Sequence, residues 1–131
     1  MNLSEWTSAF IDYLNSFKRD MTKKFAEGNI ITCEHEGKGI VEYIVMERLE
    51  NSVLERLGDK AVLVTLNTGE NLKFMIENWP KLSSNTTLKV IFANPKINMQ
   101  WSIMPHLHHK FADPASLKTG LKSLFSSVPE V

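Results

Sequence analysis

Residues 61–66 read Ala-Val-Leu-Val-Thr-Leu, a nearly continuous apolar run of the kind found in strands that are covered on both faces. Residues 88–93, Leu-Lys-Val-Ile-Phe-Ala, show the same pattern. Between the two runs, Thr68 is suited to cap a helix and Glu70 to occupy its first turn. The order strand, helix, strand predicts two parallel strands joined by a right-handed crossover.

The segment at residues 70–79 fits two structures. Leu72, Met75 and Ile76 have the spacing of a helix, whereas Leu72, Phe74 and Ile76 alternate as in a strand. The capping residue before the segment favours the helix. Pro80 should then end or kink that helix, because proline disfavours helical geometry at the residue before it.

Downstream of the second apolar run, the sequence predicts an edge strand and a final helix. Residues 94–96 form a turn, and apolar residues alternate with polar ones from Ile97 to Ile103, so Trp101 and Ile103 should face the core. Asp113 as N-cap and Pro114 at the first helical position mark the start of the last helix.

Upstream of residue 61, the sequence predicts a long helix, a hairpin and a shorter helix. Apolar residues recur every three or four positions over residues 3–25. Residues 29–36 and 40–46 are typical of strands, with Gly37-Lys38-Gly39 as the turn between them. We expect a helix at residues 47–57, which the apolar spacing would allow to begin earlier.

These elements predict one domain over residues 1–131, of the α/β class with mixed α+β also allowed. The expected order is α-β-β-α-β-α-β-β-α, with a mixed sheet of about five strands and helices packed on it. The order of elements over residues 3–94 resembles the core of the restriction-endonuclease-like fold. That family's acidic residue followed by a Glu-x-Lys strand is not present, because the expected strand is the run at 61–66. The resemblance therefore implies an order of elements and no catalytic residues.

Charge and cysteine content exclude some classes of partner. Lys plus Arg and Asp plus Glu number 15 each, so the net charge is zero, and we expect no binding to nucleic acid or to a membrane surface. Cys33 is the only cysteine, which suits a reducing compartment. The first residues lack the pattern of a signal peptide, and no apolar run is long enough to span a bilayer. We expect a soluble, cytoplasmic protein.

Histidines form the most unusual local cluster in the sequence. If the last strand continues through Pro105, His106 and His108 share its polar face. Glu34 and Glu36 lie on the polar side of the first hairpin strand. Together these four side chains have the chemistry of a site for a divalent metal such as zinc, manganese or iron.

No nucleophile elbow, Walker loop, cysteine zinc ribbon or helical His-Glu-x-x-His motif is present. The sequence therefore favours a small binding or accessory module that meets a protein partner or a second copy of itself through its sheet or an exposed helix face. The alternative is a small metal-dependent hydrolase or nuclease-like enzyme that uses the histidine and glutamate residues. The turn at residues 67–70 is a weak match to a phosphate-binding loop, and an ordinary connection is favoured there.

Overall fold

A single mixed sheet of six strands, in the order β1-β2-β3-β4-β5-β6, organises the computed structural model, which describes residues 1–131. The first three strands form an antiparallel meander, the middle pairs β3–β4 and β4–β5 are parallel, and the last strand returns antiparallel. The predicted α/β class and mixed sheet are confirmed, with six strands rather than about five. The strands are β1 (Met21–Glu27), β2 (Ile30–His35), β3 (Gly39–Val45), β4 (Ala61–Leu66), β5 (Lys89–Asn94) and β6 (Met99–Ile103).

Helices cover the sheet unequally. One face packs against the helices of the C-terminal two thirds of the chain, and the other face packs against the first helix alone. None of the helices combines the length and apolar character needed to cross a bilayer. The helices are α1 (Leu3–Lys18), α2 (Gly69–Glu77), α3 (Trp79–Ser84), α4 (Pro105–Phe111) and α5 (Leu117–Ser126).

The crossover between the two apolar runs forms as expected. Residues 69–77 are a helix and not a strand, and the Thr68 side chain accepts a hydrogen bond from the backbone N–H of Asn71. Pro80 lies in the first turn of a separate helix, α3, which begins directly after α2 ends. The proline therefore divides the predicted helix in two, since a proline is tolerated only in the first turn.

The first helix is shorter than its apolar spacing predicts. It ends at Lys18, and Arg19 adopts a left-handed conformation with φ of 52°. Residues 21–25, predicted as helix, instead belong to the edge strand β1, which pairs with β2. The side-chain carbonyl of Asn15 accepts a hydrogen bond from the Met21 N–H, which fixes the turn between helix and strand. The prediction of helix to residue 25 was wrong.

The helix predicted at residues 47–57 is also wrong. Only Asn51–Glu55 form a short 3-10 helix. The Asn71 side chain accepts a hydrogen bond from the Leu49 N–H and donates one to the Glu47 carbonyl. The bond to the Glu47 carbonyl occupies an acceptor that a continuous helix would use for itself, and the segment crosses from β3 to β4 in an irregular conformation.

The register of β6 agrees with the predicted alternation, but the strand stops at Ile103. Trp101 and Ile103 are buried, while Gln100 and Ser102 are exposed. Pro105 then opens helix α4, so His106 and His108 do not continue a strand. The proline has the fixed φ that suits a first helical position, which explains why the strand frame fails here.

The last helix begins later than predicted. The Asp113 side chain accepts a hydrogen bond from the Ala115 N–H, as a capping residue should, but it caps a short 3-10 helix over Pro114–Ser116. Helix α5 starts at Leu117. The capping signal was therefore correctly identified and placed one turn early.

Candidate functional site

The structure places the four residues predicted to bind metal far apart. Glu34 lies on β2 and Glu36 just after it, whereas both histidines lie on α4, which follows β6. Strands β3, β4 and β5 separate β2 from β6, a distance on the order of 19 Å at about 4.8 Å per strand. No group of three or more His, Cys, Asp or Glu side chains is arranged to hold a metal ion.

The histidines of α4 instead contact the helix beside them. Nδ1 of His106 lies 3.0 Å from the carbonyl oxygen of Ser83. The ring of His108 packs edge-on against Trp79, and the indole N–H of Trp79 donates to Nδ1 of His109 at 3.1 Å. These contacts hold α4 against α3, a structural role that the sequence pattern did not reveal.

The carboxyl ends of β4 and β5, where open α/β sheets commonly bind ligands, are covered by the C-terminal residues. The Asn67 amide donates to the carbonyl of Val128 at 2.9 Å, and the Asn94 amide donates to that of Pro129 at 3.0 Å. A Cβ on Gly69 would lie 3.6 Å from the Glu130 carboxylate. The turn at residues 67–70 is therefore the ordinary connection that the sequence favoured.

A cavity lined mainly by charged and polar residues opens at the opposite end of the strands, where β2 ends and β3 and β4 begin. Its volume is about 540 Å³, and Val41 is its only hydrophobic lining residue. Residues from four separate segments meet there. These segments are α1, the α1–β1 turn, the β2–β3 hairpin and the residue before β4. We call this cavity the basic pocket, and its lining residues are Lys18, Asp20, His35, Gly37, Lys38, Val41 and Lys60.

Asp20 organises the basic pocket by accepting two hydrogen bonds. One carboxylate oxygen lies 3.0 Å from Nδ1 of His35, and the other accepts from the Lys38 ammonium at 2.8 Å. The Asp20 carbonyl also accepts from the Glu36 N–H at 2.7 Å. Because Nδ1 of His35 is bonded to Asp20, Nε2 is the ring nitrogen left for a ligand.

The backbone around the basic pocket holds unusual conformations. Gly37 and Gly39 have φ of 73° and 84°, and Lys60 has φ of 57° although it carries a side chain. The Lys60 N–H donates to the Thr87 hydroxyl at 2.8 Å, and its ammonium donates to the carbonyl of Lys38. A left-handed non-glycine residue costs about 1–2 kcal/mol, so these contacts hold the lysine in place against that cost.

Positive charge exceeds negative charge in the basic pocket. Lys18 and Lys60 form no ion pair with a carboxylate, and Asp20 is the only acid in the lining. Lys89 lies close by at the start of β5. Burial, and secondarily the charge of Lys18, lowers the pKa of Lys89. Lysine charges therefore repel one another around the basic pocket.

No family model, no curated protein and no solved structure is significantly similar to this chain.

The sequence pattern did not single out the basic pocket. Its residues come from positions 18 to 60 and share no spacing, so only the folded sheet brings them together. The one local signal was Gly37-Lys38-Gly39, which marks a tight turn carrying a cation. His35 lies on the same side of β2 as the buried residues Ile31 and Cys33, and its ring bonds to Asp20.

The Asp20 carboxyl should titrate at low pH. Hydrogen bonds from Lys38 and then from His35 lower the pKa of Asp20 from 3.8 to about 2. Because the folded-state pKa of Asp20 is lower than the unfolded-state pKa, the stabilisation is complete above pH 3.8 and is lost as the pH falls through about 2.

We expect Lys38→Met to raise the Asp20 pKa, as followed by the side-chain carboxyl carbon shift in NMR. Lys73→Met, which removes an ion pair with Glu77 on α2, serves as the control; an unchanged Asp20 pKa in Lys38→Met would contradict the assigned pairing.

Proposed function

We propose that the chain is a small binding module whose basic pocket captures a compact anionic group of the phosphate type. The observation that carries this proposal is that Lys18, Lys38, Lys60 and His35 surround one cavity containing a single carboxylate. That carboxylate is already engaged by two of the four. An anion entering the cavity would therefore meet ammonium groups whose charge the protein does not neutralise.

Three of the four groups keep a hydrogen-bonding position for a ligand although each already binds a protein atom. An ammonium has three N–H donors, and Lys38 gives one to Asp20 while Lys60 gives one to a backbone carbonyl. Both keep donors for a ligand oxygen. His35, oriented by Asp20, directs Nε2 away from that carboxylate, and in its protonated form Nε2–H adds a further donor.

Other ligand classes fit the basic pocket less well. A cavity with one hydrophobic lining residue offers little surface to an apolar compound. The uncompensated lysines repel a metal cation. A polyanion such as nucleic acid needs a basic stripe extending beyond one cavity, and the chain as a whole is neutral. A small molecule or a single phosphorylated side chain matches the dimensions and the charge.

Titration with inorganic phosphate at low ionic strength tests the proposal. Lys60→Gly removes one ammonium and at the same time relieves a left-handed backbone position, so its effect on the stability of the fold should be small. We expect phosphate to shift the amide NMR signals of residues around Gly37 and Lys60. We further expect Lys60→Gly to weaken phosphate binding by about tenfold, as loss of one charge-assisted hydrogen bond would.

Two controls keep this experiment specific. Lys60→Arg retains the charge and should bind phosphate within a few fold of the parent chain. Chloride at matched ionic strength should leave the same NMR signals in place. Equal phosphate affinity in the parent chain and Lys60→Gly, or shifts spread over lysines outside the pocket, would refute the proposal.

A further inference from the structure

Strand β6 leaves one edge of the sheet open. Its only strand partner is β5, and no residue of Met99–Ile103 donates or accepts a backbone hydrogen bond elsewhere. The strand contains no proline, no charged residue and no bulge. An unprotected edge of this kind presents a row of free N–H and C=O groups that another strand can pair with.

The opposite edge of the same sheet is protected in the usual ways. Strand β1 carries Lys23 and Lys24, and its register with β2 is interrupted between Met21 and Lys23. Charges and irregular register on an edge strand discourage further pairing. The two edges of this sheet therefore differ, and only β6 is open to association.

The sequence of β6 is complementary to itself in an antiparallel pairing centred on Trp101. In that register Met99 faces Ile103 of the second strand, and Gln100 faces Ser102. Apolar side chains thus meet apolar ones and polar side chains meet polar ones, with no charge on either strand. An isologous contact of this type closes after two copies and cannot propagate.

Exposed apolar side chains border the open edge. Ile97, Met99 and Met104 are 47%, 41% and 37% exposed, and they lie just before, within and just after β6. A groove of about 890 Å³ between α1 and the β5–β6 turn continues this surface, with Phe10 and Tyr13 on its helical side. Pairing of two edges would bring each copy's border residues against the other, adding apolar burial to the backbone hydrogen bonds.

We propose that a second copy of this chain pairs along β6, so that two sheets join into one continuous twelve-stranded sheet. The self-complementary register and the absence of charge favour a second copy over an unrelated strand, because any other partner would need to supply the matching pattern. This dimer is independent of the basic pocket, which involves β2, β3 and the start of β4.

Charge substitutions at facing positions test the dimer and its register together. Gln100 and Ser102 are exposed, so changing them should leave the core intact. Gln100→Lys with Ser102→Lys places like charges opposite each other in both halves of the pairing. We expect this double variant to weaken the dimer by about tenfold or more. Gln100→Lys with Ser102→Glu instead places opposite charges face to face, and we expect it to dimerise at least as well as the parent chain.

Sedimentation velocity over a range of concentrations up to millimolar measures these effects. The parent chain should pass from 14.9 kDa to twice that mass as its concentration rises. A parent chain that stays monomeric throughout would overturn the proposal. A dimer that tolerates the lysine pair would show that the interface lies elsewhere, and loss of dimer in the lysine–glutamate variant would refute the register.

Discussion

Deleting residues 1–18 is expected to abolish cooperative unfolding, because α1 is the only helix on one face of the sheet. Its buried side chains Leu3, Trp6 and Ile11 are 1–3% exposed. Each large apolar side chain stabilises the fold by about 1.5–3 kcal/mol when buried. The deletion also uncovers the strand residues beneath the helix, which are Ile31, Cys33, Tyr43, Val45, Val62, Val64, Ile91 and Ala93.

The expected loss is comparable to the whole free energy of unfolding of a domain of this size. Whole domains are stable by about 5–15 kcal/mol, and the helix side chains alone account for roughly 5–9 kcal/mol. Thermal unfolding followed by near-ultraviolet circular dichroism should therefore show no sharp transition in the truncated chain. A truncated chain that still melted sharply would mean that α1 is an appendage.

A matched pair of point variants tests whether the buried side chains of α1 stabilise the fold more than its exposed side chains do. Ile11→Ala removes a side chain that is 3% exposed and should cost about 2–5 kcal/mol. Tyr13→Ala removes a side chain of the same helix that is 59% exposed, and it should change stability by less than about 0.5 kcal/mol. Similar losses in both variants would contradict the described packing of α1.

The buried centre of the fold was predictable because its signals are local. The apolar runs at 61–66 and 88–93, the capping Thr68 and the alternation around Trp101 each depend on a few adjacent residues. A strand that is buried on both faces has a continuous run of apolar residues, and a strand that is buried on one face has alternating apolar residues. Either pattern can be recognised without knowing the rest of the chain.

The sequence predictions were wrong where a contact with a distant part of the chain determines the local structure. Apolar residues continue at helical spacing from Phe17 to Met21 and Phe25, but pairing with β2 makes residues 21–27 a strand. This added strand also interrupts the order of elements that resembles the restriction-endonuclease-like core. Asn71, on α2, determines the conformation of residues 47–49 from more than twenty positions away. Neither effect leaves a trace in the segment it controls.

The candidate site was hidden for the same reason. The basic pocket joins Lys18 to Lys60, and its positive charge comes from an excess of lysines over one engaged carboxylate. The overall composition concealed it, since a net charge of zero averages over every surface. The histidine cluster attracted attention by its sequence, yet the structure uses those rings to hold two helices together.

Asn67 is the polar side chain whose loss we expect to be most damaging. It is fully buried at the end of β4, and its Oδ1 accepts from the Trp101 indole N–H at 2.8 Å. Its Nδ2 donates to the Val128 carbonyl at 2.9 Å. One amide thus joins the crossover strand, the edge strand and the residues after α5, three parts of the chain with no sequence neighbours in common.

Asn67→Ala should lower the free energy of unfolding by about 3–5 kcal/mol. The substitution leaves the Trp101 N–H and the Val128 carbonyl buried without partners, and each such group costs about 1–3 kcal/mol. In a chain of this length the loss corresponds to a decrease in Tm of about 10–20 °C. Urea unfolding followed by tryptophan fluorescence measures it. Asn78→Ala, which removes one hydrogen bond to Phe74 within a single helical turn, is the control and should cost about 1 kcal/mol or less.

Asn67→Asp distinguishes loss of the amide donor from loss of volume. The carboxylate keeps the acceptor for Trp101 but turns a charged oxygen toward the Val128 carbonyl. Burial and that carbonyl favour the protonated acid, so the pKa of the introduced group should rise in the folded state. Relative to the parent chain, the variant should therefore be least stable above that raised pKa. Its stability should recover as the pH falls through the raised pKa, because the protonated acid donates a hydrogen bond where the amide did. A stability deficit that does not change with pH would show that Asn67 fills space and makes no essential hydrogen bond.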